Sequence, residues 1–224
     1  MDWSPVWISL KTASVSIFIT FFVGIFAAWG VISTKKEGTK AFCDGLLTLP
    51  LVLPPTVVGF FLLYIFGVNG PLGEFFMRVF GVKIAFSWIA TVLASIVVSF
   101  PLMYRSARGA FEQVDSNLVA AARTLGMSEW TIFRKVLCSN ALPGIISGGV
   151  LAFSRGLGEF GATAMIAGNI AKKTRTLPMA IYSEVAAGNM EKAYGYVAVI
   201  VALAFASILA INWMGIREEK RKNQ

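Results

Sequence analysis

The sequence predicts an all-α, polytopic membrane protein with five to six transmembrane helices. Its 224 residues have a mean hydropathy of +0.70 and only 14% charged side chains, which is more apolar than a soluble domain of this size. Long stretches of the chain carry no charge, and lysine and arginine concentrate in the segments between them. The composition therefore disfavours a cytosolic globular protein.

Hydropathy places five membrane spans. Crossing a hydrocarbon layer takes roughly 20 apolar residues of helix. The predicted spans, in chain order, are about 10–32, 45–67, 84–105, 143–167 and 193–215. A sixth, short or re-entrant element is expected in 68–82 or 175–190, where prolines interrupt the pattern. The first run is too long, and too poor in flanking basic residues, for a cleaved signal, so 1–224 is predicted as a single transmembrane domain.

The distribution of basic residues predicts the orientation. With the N-terminus outside and the C-terminus in the cytoplasm, twelve lysines and arginines lie inside and seven outside. The inside set includes a C-terminal group: Arg217, Lys220, Arg221 and Lys222. Most of the formal charge of +8 is thus explained by topology, and a nucleic-acid-binding surface is not indicated.

The sequence has few residues suited to catalysis or to binding a cofactor. It has no histidine, and Cys43 and Cys138 are too far apart to form a metal-spaced cluster. No GxxxxGK[ST] segment for nucleotide phosphates occurs. We therefore expect no enzyme activity and no cofactor in this chain, and any ATP and Mg²⁺ must be bound by a partner.

Prolines interrupt the second predicted span. Pro50, Pro54 and Pro55 remove backbone donors, so the helix must bend or break there. Such a break is tolerated where neighbouring helices or a cavity satisfy the freed carbonyls. The bend either shapes a transport pathway or is a fixed structural feature.

The segment 113–140, between the third and fourth spans, is long for a connector and has its own helix signals. Asp115, Ser116 and Asn117 are N-cap candidates for a first short helix, and Gly126 suits a left-handed C-cap. Ser128 is the expected N-cap of a second short helix. This helical elbow is either a docking surface for another protein or an amphipathic hairpin on the membrane.

The fourth predicted span combines small residues with a charge pair. Gly144, Gly148, Ala152 and Gly156 recur every four residues, as at close helix contacts within or between subunits. Arg155 and Glu159 also lie four apart, hence on one helix face at membrane depth. The pair either borders a gate on an anion route or is a neutral structural pair.

The elbow resembles the coupling loop of ABC importer permeases. Its Ala120-Ala121-Ala122, three residues and Gly126 match the Glu-Ala-Ala, three residues, Gly signature. Ala120 stands where the signature has glutamate, and Leu142-Pro143 arrives four residues later than the signature's Leu-Pro. In that family the loop inserts into a cleft of the cytoplasmic ATPase and passes its closure to the spans.

Other stretches resemble the molybdate/tungstate permease family in particular. They are the segment 151–163, which contains Leu157-Gly-Glu-Phe-Gly-Ala162, the tripeptide Gly168-Asn-Ile170, and Thr174-Arg-Thr-Leu-Pro-Met-Ala-Ile-Tyr182. Sulfate permeases carry a related Leu-Gly-Glu-Phe-Gly-Ala segment but resemble this chain less around 174–182. The sulfate/thiosulfate importer is the alternative within the class.

The resemblance implies a type I ABC importer permease in the cytoplasmic (inner) membrane. Its implied partners are a second copy of itself, two ATPase subunits and an extracytoplasmic oxyanion-binding protein. The expected ATPase-coupling residues are Leu118, Ala120, Ala121, Ala122, Arg123, Leu125, Gly126, Met127 and Trp130. The expected pathway or gate residues are Pro54, Pro55, Arg155, Gly158 and Glu159.

Two other function classes are compatible with a helical membrane protein. An ion-coupled secondary carrier usually has repeated halves, and no internal repeat is visible. A membrane enzyme needs a catalytic constellation, which the residue inventory does not supply. The importer is therefore the favoured prediction.

Overall fold

The computed structural model describes residues 2–222, apart from the side chains of 211–212 and 214–222, and every regular element in that part is helical. The predicted C-terminal basic group, Arg217 to Lys222, therefore has its side chains outside the described residues. Four helices are long and apolar enough to span a membrane, and there are five spans if a bent pair of helices is counted as one. The helices are α1 (Ser4–Ile32), α2 (Glu37–Val52), α3 (Pro55–Phe66), α4 (Pro71–Phe80), α5 (Trp88–Glu112), α6 (Ser116–Thr124), α7 (Glu129–Ile132), α8 (Cys138–Leu157), α9 (Gly161–Ala167), α10 (Leu177–Ala186) and α11 (Met190–Lys222).

Helix α1 begins earlier than hydropathy indicates. The Asp2 carboxylate accepts hydrogen bonds from the backbone N–H of Ser4 at 2.9 Å and from its hydroxyl at 2.7 Å. Pro5 follows at a helix position where a missing N–H costs nothing. These local interactions start the helix at Ser4 rather than near residue 10.

The expected bend in the second span is confirmed. Helix α2 ends at Val52, α3 begins at Pro55, and their axes differ by 108°. The carbonyl of Pro54 accepts the N–H groups of Val57 and Val58, so the new helix starts immediately. The second span is therefore two half-helices joined at Leu53-Pro54.

Short helices occupy both segments in which one extra element was expected. Helix α4 covers part of 68–82, and α10 covers part of 175–190. Each begins with a proline in its first turn, a position that tolerates the missing donor. Neither is long enough to cross a membrane.

Helix α5 forms the centre of the bundle, between α1 and α8. Its contact with α1 contains a buried polar seam that hydropathy does not indicate. The hydroxyls of Thr12 and Thr91 are 3.0 Å apart, and those of Ser16 and Ser95 are 2.8 Å apart. The i, i+4 spacing of serine and threonine on both helices is the signal that predicts such a seam.

The small residues of α8 pack against α5 of the same chain. A Cβ added at Gly144 would lie 2.8 Å from the Cβ of Ala110, and one at Gly156 would lie 2.5 Å from the Ser95 hydroxyl. At Gly148 the added atom would collide with the Cβ of Ser106, and Ala152 is buried. The stripe is thus an intrasubunit contact, the simpler of its two interpretations.

We expect Gly148→Ala to destabilise the folded chain by about 1–3 kcal/mol, because α5 and α8 must move apart to admit one methyl group. Gly30→Ala is the matched control, since no atom lies within 4 Å of a Cβ built at Gly30 in α1. Thermal unfolding in detergent measures the difference between the two variants. Equal unfolding temperatures would show that the contact is loose.

The second short helix of the elbow is the beginning of the fourth span. Helix α7 continues through a π-helical turn, Phe133–Leu137, directly into α8. The sequence predicts a separate helix and a span over 143–167, whereas the structure has a continuous run from Glu129 to Leu157 and a break before α9. A displacement of the elbow therefore passes into the membrane along one helix.

Candidate functional site

The elbow at residues 115–130 is shaped by capping interactions within a few residues of one another. The Asp115 carboxylate accepts the N–H of Asn117 at 2.8 Å, and the Ser128 hydroxyl accepts that of Thr131 at 3.3 Å. Gly126 has a φ of +75°. The N–H of Gly126 donates to the carbonyl of Arg123, and the N–H of Met127 donates to the carbonyl of Ala122. These are the two hydrogen bonds of a Schellman C-cap. The predicted caps are confirmed.

Several expected coupling residues form an exposed, largely apolar surface on this elbow. Leu125 is 81% exposed at the tip, and Leu118 and Trp130 are about half exposed. Ala120 and Ala121 are exposed, whereas Ala122 is buried, so the alanine run presents two small residues outward. Exposed apolar side chains at the tip of a rigid turn are typical of protein-binding surfaces.

Arg123 already has an ion-pair partner within the elbow. Its guanidinium donates to both carboxylate oxygens of Glu129, at 2.8 and 3.1 Å. This bidentate hydrogen bond raises the pKa of Arg123 above its ordinary value. The pair bridges α6 and α7 across the glycine, so Arg123 stabilises the elbow's angle instead of being free for an acidic partner.

Aromatic stacking joins the elbow to α1. The rings of Trp29 and Phe133 lie 4.4 Å apart and nearly parallel, and Trp130 lies 5.4 Å from Phe133. Phe26 stacks on Trp130 at 6.3 Å and lies 5.9 Å from Phe133. The elbow is therefore packed against α1 and continues directly into α8.

The break between α8 and α9 is organised by Glu159, whose side chain is 2% exposed. One carboxylate oxygen accepts from Arg155 at 2.8 Å, and the other accepts the N–H of Ala162 at 2.8 Å. The carboxylate thus takes the place of a backbone carbonyl as the acceptor for an N–H group in the first turn of α9. This capping explains why a span predicted as continuous over 143–167 is divided.

The break between α2 and α3 lies beside the break between α8 and α9. A Cβ added at Gly161 would lie 2.9 Å from the Cβ of Pro55, and one at Gly59 would lie 2.7 Å from Ala162. Pro54, Pro55 and Gly158 are exposed, and the Arg155 side chain is one third exposed. The structure therefore places the expected pathway residues in one region, with Glu159 as its buried anchor.

A charge cluster between α2 and α5 was missed by the sequence analysis. Asp44 forms an ion pair with Arg108 and accepts a hydrogen bond from the Tyr104 hydroxyl at 2.9 Å. Glu112 accepts a hydrogen bond from Arg108 at 2.9 Å, and its carboxylate lies 3.6 Å from the Lys40 ammonium. An acid placed one residue before a long apolar run is the signal for it. Within the described residues, no three His, Cys, Asp or Glu side chains are grouped to hold a metal ion.

Comparison with known proteins gives a family match over most of the chain. Residues 20–222 match the family described as "binding-protein-dependent transport system inner membrane component". The molybdenum transport system permease protein ModB of Escherichia coli K12 is 45% identical over 95% of this chain and 93% of its own length. That of Haemophilus influenzae is 38% identical over 100% and 98%. The E. coli sulfate permease CysT is 30% identical over 99% and 84%.

Solved structures share the architecture at low sequence identity. A chain of the inward-facing methionine ABC transporter MetNI superposes with a TM-score of 0.73 at 19% identity, covering 94% of this chain and 92% of that one. A chain of an alginate ABC transporter gives 0.67 at 12% identity, covering 97% and 78%. These likenesses establish the fold.

Proposed function

The chain belongs to the family of inner membrane components of binding-protein-dependent transport systems, and on that premise we propose that it carries molybdate or tungstate into the cytoplasm as the permease of an ATP-driven importer. The observation that carries the proposal is the 38–45% identity, over nearly the whole chain, to permeases of molybdenum transport systems. The similarity to the sulfate permease is lower, at 30%.

The assembly that we propose has two copies of this chain, two cytoplasmic ATPase subunits and an extracytoplasmic oxyanion-binding protein. One copy offers only five spans, counting the bent pair, which is few for enclosing a route. A pathway between two copies would use the exposed side of the breaks at Pro54-Pro55 and Gly158. ATP and Mg²⁺ belong to the partner ATPase in this scheme.

The mechanism is alternating access driven through the elbow. Closure of the ATPase pair moves the two elbows together, with Leu118, Leu125 and Trp130 as the contact surface. Because α7 runs into α8 and Trp130 stacks towards α1, this displacement moves two spans at once. The permease then opens outward, receives the anion, and returns inward after hydrolysis.

Uptake into reconstituted vesicles tests the function. The complete complex, with ATP inside and the binding protein outside, is expected to import molybdate and to prefer it to sulfate by about tenfold or more, a difference of ~1.4 kcal/mol. Omission of ATP or of the binding protein is the control and should abolish uptake. A preference for sulfate would support the sulfate importer, and uptake driven by an ion gradient without ATP would contradict the proposal.

A further inference from the structure

A cavity of about 740 Å³ lies between α5, α6 and α8, beside the elbow. This volume is many times what one water molecule needs, so a small hydrated anion fits inside it. Gly109 leaves open space beside it, because no atom lies within 4 Å of a Cβ built there, whereas Ala110 and Gly144 line the cavity where α5 and α8 are in contact. In the predicted orientation it lies at the cytoplasmic side of the membrane.

The side chains that line this cavity have unused hydrogen-bond donors. Among the described residues, Arg105, Ser106, Gln113 and Ser147 make no side-chain hydrogen bond and no ion pair. Arg108, one turn further along α5, is held by Asp44 and Glu112, whereas Asp44 attracts Arg105 without forming an ion pair with it. The free donors therefore face one shared, water-accessible space.

Among the residues that the structure describes, the cavity is lined by one charged residue of each sign. Arg105 is the only cationic residue of the described lining, and Asp115 is its only carboxylate. That carboxylate accepts the N–H of Asn117, and the lining amide of Asn140 donates to the carbonyl of Val136 at 2.7 Å. Both groups serve the helices that carry them, which leaves a guanidinium, two hydroxyls and the Gln113 amide for a ligand.

We propose that this cavity is a transit site for a tetrahedral oxyanion, held by the Arg105 guanidinium and the hydroxyls of Ser106 and Ser147 before release into the cytoplasm. The planar fork of arginine matches the oxygen spacing of an oxyanion, and hydroxyls complete its hydration. A single cation attracts the anion without trapping it, as a transport step requires. The inference rests on the proposed function for the identity of the anion.

Charged thiol reagents test the site without depending on transport. In the full complex with Cys43 and Cys138 replaced by alanine, Ser147→Cys places a thiol in the cavity. At this thiol we expect an anionic methanethiosulfonate reagent to react faster than a cationic one of similar size. Arg105→Gln should lower this anionic-to-cationic rate ratio by about tenfold, because it removes one nearby charge. Arg105→Lys should preserve most of the ratio.

Ser139→Cys is the matched control, since Ser139 is exposed on the same helix and does not line the cavity. Its rate ratio should not respond to Arg105→Gln. Millimolar molybdate should slow modification at Ser147→Cys and leave Ser139→Cys unaffected.

Two outcomes would overturn the transit site. One is a rate ratio at Ser147→Cys that is the same with and without Arg105. The other is a thiol at that position that is inert in the complex, which would show that another protein surface fills the cavity. Normal ATP-driven molybdate uptake alongside either result would refute this site alone. Anion-selective modification without molybdate uptake would instead refute the proposed function.

Discussion

Replacing Gly126 by valine lowers ATP-driven uptake by about tenfold or more, while Gly126→Asn retains most of it. The glycine has a φ of +75°, a conformation that costs most residues roughly 1–2 kcal/mol and a β-branched one more. Asparagine tolerates it better than other side chains. No atom lies within 4 Å of a Cβ built there, so the two variants differ in backbone strain and not in collision.

The elbow's angle is what this pair of variants changes. Valine opposes the Schellman bonds of Gly126 and Met127, and α6 then no longer presents Leu118 and Leu125 on one side of α7. Uptake and binding-protein-stimulated ATPase activity measure the effect, and recovery of the permease from the membrane controls for folding. Equal uptake by both variants would contradict a rigid elbow in coupling.

Arg155→Ala is expected to reduce uptake far more than it reduces assembly. The substitution leaves the buried Glu159 carboxylate with Ala162 as its remaining partner, but Arg155 is one third exposed, so the cost in stability is smaller than the about 3–5 kcal/mol of a fully buried pair. The partial exposure of Arg155 beside the two breaks provides a second role, as a cation bordering the anion's route. The measured loss combines both effects.

The double variant Arg155→Ala/Glu159→Gln separates these effects. Glutamine removes the unpaired charge and keeps an oxygen that accepts from Ala162. Complex yield and unfolding temperature should recover towards the unmodified protein, while uptake stays low. Uptake that recovers together with stability would show a purely structural pair and remove Arg155 from the proposed gate.

Features that depend on neighbouring residues in the chain could be predicted from the sequence. Asp115, Ser128 and Gly126 act through atoms a few residues away, so capping preferences were sufficient to place the elbow. The bend at Pro54 follows from a missing donor in the same way. The i, i+4 spacing of Arg155 and Glu159 likewise indicated a pair that the structure contains.

Features that depend on distant parts of the chain could not be predicted from the sequence. Glu159 ends α8 because its carboxylate is buried and caps α9, and burial is not encoded in a local window. The roles of Arg105 and Arg108 differ because Asp44, from another helix, forms an ion pair with Arg108 and only a longer-range attraction with Arg105. The continuity of α7 with α8 also escaped prediction, since a π-helical turn has no strong local signature.

By itself, the sequence determined that this is a helical membrane protein with an exposed glycine elbow, because hydropathy and capping act over short stretches of chain. Only the tertiary structure decided that the glycines of α8 pack on α5, that α3 and α9 meet at Pro55 and Gly161, and that Arg105 faces a cavity. These outcomes depend on which helix faces are in contact, and that is set by packing between residues far apart in the chain.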